Sequence, residues 1–145
     1  MKKIAHADKP IKKLIQHSYS KNPWKVLVCC LLLNRTGGQQ VRNVIKEFFS
    51  RWPSPQQLLA ADHDELVEVI WSLGFYNRRA KLLKEFSEEY LAKDWFDPRE
   101  LKGVGEYGWE AWQIIMHGKT DFVPTDSVLR RYLAWVNRNE LAGKC

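Results

Sequence analysis

The 145-residue sequence is basic, with 23 Lys and Arg against 17 Asp and Glu, and 45% of its residues are hydrophobic. This length predicts one domain with its own core, and the apolar content excludes a disordered basic tail. The longest apolar run, residues 26–33, is too short for a membrane span, and the start has no apolar stretch of signal-peptide length. We expect a soluble intracellular protein, nuclear if the source is a eukaryote, and the net charge of +6 favours a polyanionic partner.

The three cysteines predict neither a disulfide framework nor a thiolate metal site. Cys29 and Cys30 are adjacent, which indicates core packing, and Cys145 is the last residue. The four histidines show no metal-ligand spacing either, so we expect no metal and no cofactor.

Helical periodicity runs through almost the whole chain. Apolar residues recur at steps of three and four, as from Val41 to Trp52, and no stretch sustains a period of two. Three predicted helices begin at a capping side chain followed by proline or by a third-position glutamate or glutamine: Ser54, Asp62 and Asp97. The predicted helices lie near residues 10–20, 24–35, 39–52, 55–61, 63–71, 76–92, 98–102, 105–117 and 126–138. These elements predict a single all-α domain.

The glycine-rich stretch at residues 101–108 is the first candidate binding feature. Gly103 and Gly105 around Val104 allow a tight turn whose backbone N–H groups point outward, while Val104 anchors the turn in the core. Together with the following helix N-terminus, such a turn suits a phosphate oxygen and holds a nucleic-acid backbone without reading its sequence. An ordinary connection between two packed helices is the alternative.

The second candidate is an aspartate at the start of a helix. Pro124 predicts an extended approach, after which Thr125 or Asp126 caps the next helix. A carboxylate at the positive end of a helix dipole suits a reaction that develops a cation beside it. The alternative is that Asp126 is only a helix cap.

The hairpin and the aspartate, about 20 residues apart in this order, resemble the helix-hairpin-helix DNA glycosylases. Among them, the chain is most similar to the mismatch-specific thymine/uracil glycosylase domain of methyl-CpG-binding repair proteins, over nearly its whole length. The other segments that carry the resemblance are NPWK (22–25), LNRTG (33–37), LGFY (73–76), RAK (79–81) and FS-x-EYL (86–91). The resemblance implies two helical lobes flanking a DNA-binding cleft within one domain, residues 1–145. The middle helices, about 24–114, would form one lobe, and about 1–23 plus 115–145 the other.

The resemblance also implies the catalytic groups. Members of this family flip a mispaired thymine or uracil out of the duplex and hydrolyse its N-glycosidic bond. Asp126 falls at the catalytic aspartate, which activates water or stabilises an oxocarbenium-like sugar. Tyr107 stands where bifunctional members such as endonuclease III carry a Schiff-base lysine, so the chain is expected to lack lyase activity. Gln16 and Tyr107 are expected to line the base pocket; for Gln16 the alternative is an exposed helix residue.

Two side chains are expected to enter the duplex. Arg35 would fill the hole left by the flipped base, and Phe75, where relatives carry leucine, would wedge into the opposite strand. For Phe75 the alternative is a buried residue after the helix stop at Gly74. The other expected DNA-binding residues are Lys102, which replaces a proline common in the superfamily, and Gly103, Val104, Gly105 and Gly108.

Many relatives hold an iron–sulfur cluster with four cysteines after the catalytic helix. Only Cys145 follows Asp126, so we expect no such cluster. The expected protein is a monomeric, monofunctional glycosylase acting in base excision repair on double-stranded DNA with G·T or G·U mismatches. The alternatives are an adenine-excising relative without the cluster, a non-catalytic helix-hairpin-helix DNA-binding module, and a helical protein-interaction domain.

Overall fold

The computed structural model describes residues 10–143, with side chains to residue 139, and every regular element in this part of the chain is helical. The α-helices are α1 (Pro23–Leu33), α2 (Gly38–Arg51), α3 (Pro55–Leu59), α4 (His63–Ile70), α5 (Tyr76–Ala92), α6 (Glu106–His117) and α7 (Ser127–Gly143). Short 3-10 helices cover Ile15–Tyr19, Trp71–Leu73 and Pro98–Glu100. The predicted all-α class is confirmed. Among the described helices none is both long and apolar enough to cross a membrane.

The predicted helix caps form as the sequence indicates. At each start the capping oxygen accepts a backbone N–H from the second or third helical residue, at 3.2 Å for Ser54, 3.2 Å for Asp62 and 2.9 Å for Asp97. Each such bond satisfies a donor that has no partner within the helix and contributes about 1 kcal/mol. Local sequence alone therefore accounts for where these three elements begin.

Helix α1 is the centre of the main core. It is buried on all sides over residues 26–32 and contacts α2, α5 and α6 as well as the first 3-10 helix. Trp24 at its start is buried and satisfies its indole N–H by donating to Ser87 Oγ at 3.0 Å. Val104 of the hairpin packs into the same core, as the sequence predicts. The turn that carries the hairpin is thus fixed to the most buried helix of the protein.

A second, smaller apolar cluster joins the N-terminal segment to the last two helices. Its buried members are Leu14, Cys30, Ala111, Ile114, Leu129 and Leu133. Cys29 and Cys30 are both buried and free, which confirms the expected core packing, and Cys145 lies outside the described residues. The division into lobes at about residues 24–114 stays a prediction.

The predicted helix over residues 10–20 is wrong for its first half. Residues 11–14 are irregular, and only Ile15–Tyr19 forms a 3-10 helix. Leu14 is extended, and its N–H donates to the His17 imidazole Nδ1 at 2.9 Å, a local side-chain bond that competes with an α-helix. The element predicted at 98–102 is likewise shorter, ending at Glu100, because Leu101 is already extended into the hairpin. Helix α7 continues to residue 143, beyond the predicted 138.

Candidate active site and nucleic-acid interface

A cavity of about 570 Å³ brings four of the predicted site residues together. It lies between the N-terminal segment, the α1–α2 loop and the starts of α6 and α7, and Gln16, Arg35, Tyr107 and Asp126 all line it. This volume falls in the range of small-molecule sites. The remaining predicted residues, Phe75 and the hairpin, lie outside its lining.

Most of the charged residues that line the cavity are cationic. Its described charged lining residues are Lys12, Lys13, Arg35, Arg42 and Asp126. Four positive side chains against one carboxylate favour an anionic ligand, such as the phosphates that flank a nucleotide.

Gln16 is fixed deep in the cavity by its amide nitrogen. The side chain is 1% exposed, so the interpretation as an exposed helix residue is wrong. Its Nε2 donates to Tyr107 Oη at 2.9 Å and to Cys30 Sγ at 3.5 Å. Both amide hydrogens are thus engaged. Among the described residues nothing donates to Gln16 Oε1, so the carbonyl oxygen is open to a ligand.

The groups beside Gln16 are held in their neutral forms. Burial raises the pKa of the Tyr107 hydroxyl, and the neighbouring Cys30 and Asp126 add to the effect. Burial also raises the pKa of Cys30 to about 12, which makes its thiol a neutral hydrogen-bonding neighbour and a poor nucleophile. Tyr107 therefore keeps its hydroxyl hydrogen, and because its oxygen accepts from Gln16, that hydrogen is available to a ligand.

Asp126, and not Thr125, is the cap of α7. Its Oδ2 accepts the Leu129 N–H at 2.9 Å, and its backbone oxygen accepts the Arg130 N–H at 3.0 Å. Within the described part of the chain its Oδ1 makes no hydrogen bond, and the partly buried carboxylate lines the cavity. Asp126 thus caps α7 as the sequence predicts, and the cap leaves one carboxylate oxygen without a partner among the described residues.

Glu110 holds the segment that precedes Asp126, and sequence reasoning missed it. Its side chain is 3% exposed, and its carboxylate accepts the Thr125 N–H at 2.8 Å and the Thr125 hydroxyl at 3.1 Å. Arg130 also binds this segment, donating to the Pro124 carbonyl at 3.1 Å. The sequence places this glutamate on the apolar face of α6, one turn after Tyr107, which could have indicated a buried carboxylate. Its partner, Thr125, is identified only by the fold.

The hairpin has the backbone that its glycines allow. Gly103 has φ +87°, and a Cβ there would lie 2.8 Å from Leu31 Cδ2 and 3.0 Å from Leu82 Cδ1. A Cβ on Gly108 would lie 2.8 Å from Val104 Cγ1. A side chain at either position would push the turn away from the core.

The hairpin borders a second cavity beside the main one. A smaller cavity of about 110 Å³ lies between the hairpin and α1, and its lining shares Asn34 and Tyr107 with the main one. A backbone bound at the hairpin would therefore run close to the pocket that holds Gln16 and Asp126.

Lys102 is engaged with α5. Its backbone N–H donates to Glu89 Oε1 at 2.8 Å, and its ammonium pairs with Glu85 Oε1 at 3.2 Å. The expected phosphate contact stays a prediction.

Arg35 and Phe75 share an unusual backbone. They are the non-glycine residues with positive φ between residues 10 and 143, at +63° and +49°. Phe75 is 61% exposed, so its interpretation as a buried residue is wrong, and the Arg78 guanidinium lies 5.8 Å from its ring centroid. Left-handed backbone costs about 1–2 kcal/mol per residue and is concentrated at functional positions. Insertion of these two side chains into DNA stays a prediction.

His17 joins the N-terminal segment to α7. Its Nδ1 accepts the Leu14 N–H, which places the proton of the neutral ring on Nε2, 3.1 Å from Tyr132 Oη. Burial lowers the pKa of His17, and the charge of Lys13 adds to the effect. The ring therefore stays neutral in the folded protein at pH values where the unfolded chain already binds a proton.

This lowered pKa predicts a pH dependence of stability. As the pH falls from the unfolded-state value of about 6.5 through the lower folded-state pKa, the unfolded chain binds the proton first, so the free energy of unfolding decreases. We expect His17→Asn, whose Oδ1 can still accept from Leu14, to flatten this decrease. Urea denaturation of both proteins between pH 7.5 and 5 measures it, and equal slopes would contradict the prediction.

In the described part of the chain, no three His, Cys, Asp or Glu side chains are grouped so as to hold a metal ion. The expected lack of an iron–sulfur cluster stays a prediction.

The all-helical fold, the hairpin and the cavity define a helix-hairpin-helix protein. Residues 28–142 match the family described as HhH-GPD superfamily base excision DNA repair protein. The chain belongs to this superfamily, which confirms the family resemblance of its sequence.

Two relatives are similar to part of the chain. The chain is 36% identical over 120 residues to a methyl-CpG-binding domain protein 4-like protein of Arabidopsis thaliana, covering 82% of this chain and 27% of that one. It is 40% identical over 93 residues to a thymine/uracil-DNA glycosylase of Pyrobaculum aerophilum, covering 59% of this chain and 40% of that one. The chain thus spans less than half the length of either relative.

A solved structure shares the fold. The structure of a thermostable thymine-DNA glycosylase superposes with a TM-score of 0.65 at 24% identity, covering 74% of this chain and 53% of that one.

Proposed function

We propose that this chain is a DNA glycosylase domain that flips thymine or uracil mispaired with guanine and hydrolyses the N-glycosidic bond without cutting the strand. The observation that carries the proposal is the meeting of Gln16, Tyr107 and Asp126 in one cationic cavity. The superfamily supports base excision repair as the process, and relatives named thymine/uracil-DNA glycosylase support the substrate class.

The polarity of the Gln16–Tyr107 pair supports a pyrimidine with an imide edge. The pair presents one open acceptor, Gln16 Oε1, and one open donor, the Tyr107 hydroxyl. Thymine and uracil present an N3–H donor beside carbonyl acceptors, which matches this pattern. Cytosine and adenine also offer one donor beside one acceptor, in the amino group and the adjacent ring nitrogen, so the assay below includes G·C and A·G duplexes beside G·T and G·U.

Asp126 supplies the charge for the chemical step. When the N1–C1′ bond breaks, its electron pair goes to the base and positive charge develops on the sugar. The free Oδ1 of Asp126 can stabilise that charge or take the proton from the water that attacks C1′. A hydrogen bond from the Tyr107 hydroxyl to a base carbonyl would stabilise the departing anion.

The residue at position 107 supports hydrolysis without lyase chemistry. A phenol cannot form the Schiff base through which a lysine cuts the strand. Lys12 and Lys13 also line the cavity, but both are exposed, unlike the desolvated lysines that serve as Schiff-base nucleophiles.

An excision assay on labelled duplexes tests the proposal. We expect the G·T and G·U duplexes to be cut only after alkali, which opens abasic sites, and the G·C and A·G duplexes to stay intact. Cutting of A·G alone would favour the adenine-excising alternative, and cutting without alkali would contradict the absence of lyase activity. Salt-dependent DNA binding with no excision would favour a non-catalytic module.

A further inference from the structure

Arg79 joins two loops that are far apart in sequence. The residue lies on α5 and is 8% exposed. Its Nε donates to the Gly74 carbonyl at 2.9 Å, and its Nη1 donates to the Leu32 carbonyl at 3.1 Å. Its Nη2 donates to the Asn34 carbonyl at 3.2 Å and to the Thr36 hydroxyl. One side chain thus holds the turn before α5 against the end of α1 and the α1–α2 loop.

The two loops are the ones that carry the left-handed residues. Asn34 and Thr36, both bound by Arg79, flank Arg35, and Gly74, also bound by Arg79, directly precedes Phe75. Left-handed backbone at non-glycine residues persists where the surrounding contacts overdetermine it. The contacts of Arg79 supply such constraint to both loops at once.

The choice of arginine fits this geometry. Its guanidinium presents five donors in a rigid plane, while a lysine ammonium is a single point with three rotatable donors. The carbonyls at the end of α1 lack partners within the helix and carry its negative dipole end, which a buried cation complements. Burial lowers the pKa of Arg79, but an arginine remains charged at neutral pH.

We propose that Arg79 is a positioning residue that fixes the distance between Arg35 and Phe75, so that the two side chains enter the duplex as one rigid unit. The inference rests on the proposed function, because positioning Arg35 and Phe75 serves base flipping only if the chain is a glycosylase. With both loops preset, insertion orders less backbone on binding, and the flipped base meets the pocket in one geometry.

A double-mutant cycle between Arg79→Lys and Phe75→Ala tests the inference. Single-turnover excision on a G·T duplex is measured for the wild type, both single variants and the double variant. We expect each single change to slow excision by about tenfold and the double variant to be slowed far less than a hundredfold, because Arg79 acts through the loop of Phe75. Affinity for a fully paired duplex is expected to change less than about threefold, since the hairpin contacts remain.

Two controls keep the outcome decisive. Arg51→Lys alters an exposed arginine paired with Glu47 of its own helix, and we expect wild-type rates from it. If Arg79→Lys does not fold, Thr36→Val removes one acceptor of Arg79 while the cation remains. The double variant of Thr36→Val and Arg35→Ala should then slow excision by less than the product of the two single effects.

Each result separates the inference from the proposed function. A wild-type protein that excises neither thymine nor uracil would overturn the proposed function itself. If the wild type is active but the effects of the two changes on the excision rate multiply fully, only the positioning role is overturned. The same holds if Arg79→Lys excises at the wild-type rate.

Discussion

Asp126→Asn is expected to lower the single-turnover excision rate on a G·T duplex by about 10²–10⁴-fold, the range associated with a lost acid–base group. Asparagine has nearly the same shape and keeps an oxygen that accepts the Leu129 N–H, so the start of α7 remains capped. It loses the negative charge that stabilises the sugar cation and the basicity that takes a proton from water. Excision should therefore fall while folding stability and mismatch affinity stay near wild type.

Asp121→Asn is the matched control for this change. Asp121 is an exposed aspartate five residues earlier, and its carboxylate pairs with Lys119 at 3.5 Å, outside the lining of the cavity. We expect the wild-type excision rate from it. An Asp126→Asn rate within tenfold of wild type would remove Asp126 from the chemistry, as would an equal loss of rate in the control.

Gly103→Ala is expected to lower the free energy of unfolding by about 2–4 kcal/mol. The native φ of +87° is unfavourable for any L residue with a side chain, and the added methyl would overlap Leu31 and Leu82 in the core. The turn must shift outward, so its N–H groups no longer face a bound phosphate, and duplex affinity should fall as well. Thermal or urea unfolding and a salt titration of duplex binding measure the two effects.

Gly105→Ala separates backbone strain from the loss of any glycine in the hairpin. Gly105 has φ −110°, and a Cβ there has no neighbouring atom within 4 Å. Its only expected cost is that of alanine at a helix cap, less than about 1 kcal/mol. If both variants unfold at the same denaturant concentration, the strain assigned to Gly103 is wrong.

Much of the fold was predictable because its signals are local. The caps at Ser54, Asp62 and Asp97 depend on residues within three positions, and they form as predicted. The helix predicted over residues 10–20 is wrong in its first half for an equally local reason, which hydrophobic periodicity does not reveal. The imidazole of His17 takes the Leu14 N–H that a helix would have needed, and an apolar stripe gives no sign of it.

The candidate site was predictable only where the family resemblance identified residues. From its own context Asp126 is an adequate helix cap, and nothing in the neighbourhood of Gln16 signals burial. Glu110 and Arg79 were missed because their partners come from distant segments: a threonine 15 positions further on and carbonyls some 45 positions earlier. The polarity of the Gln16–Tyr107 pair also depends on Cys30 beside it, a contact that exists only in the folded chain.

Release of the free base is the measurement that tests the central claim most directly. A G·T duplex with isotopically labelled thymine is incubated with the wild-type protein or with Asp126→Asn, and the solution is analysed for free thymine by chromatography. We expect the wild type to release thymine while the strand stays intact, and the variant to release almost none. Bound duplex without free thymine from the wild type would contradict the assignment of this cavity as a glycosylase site.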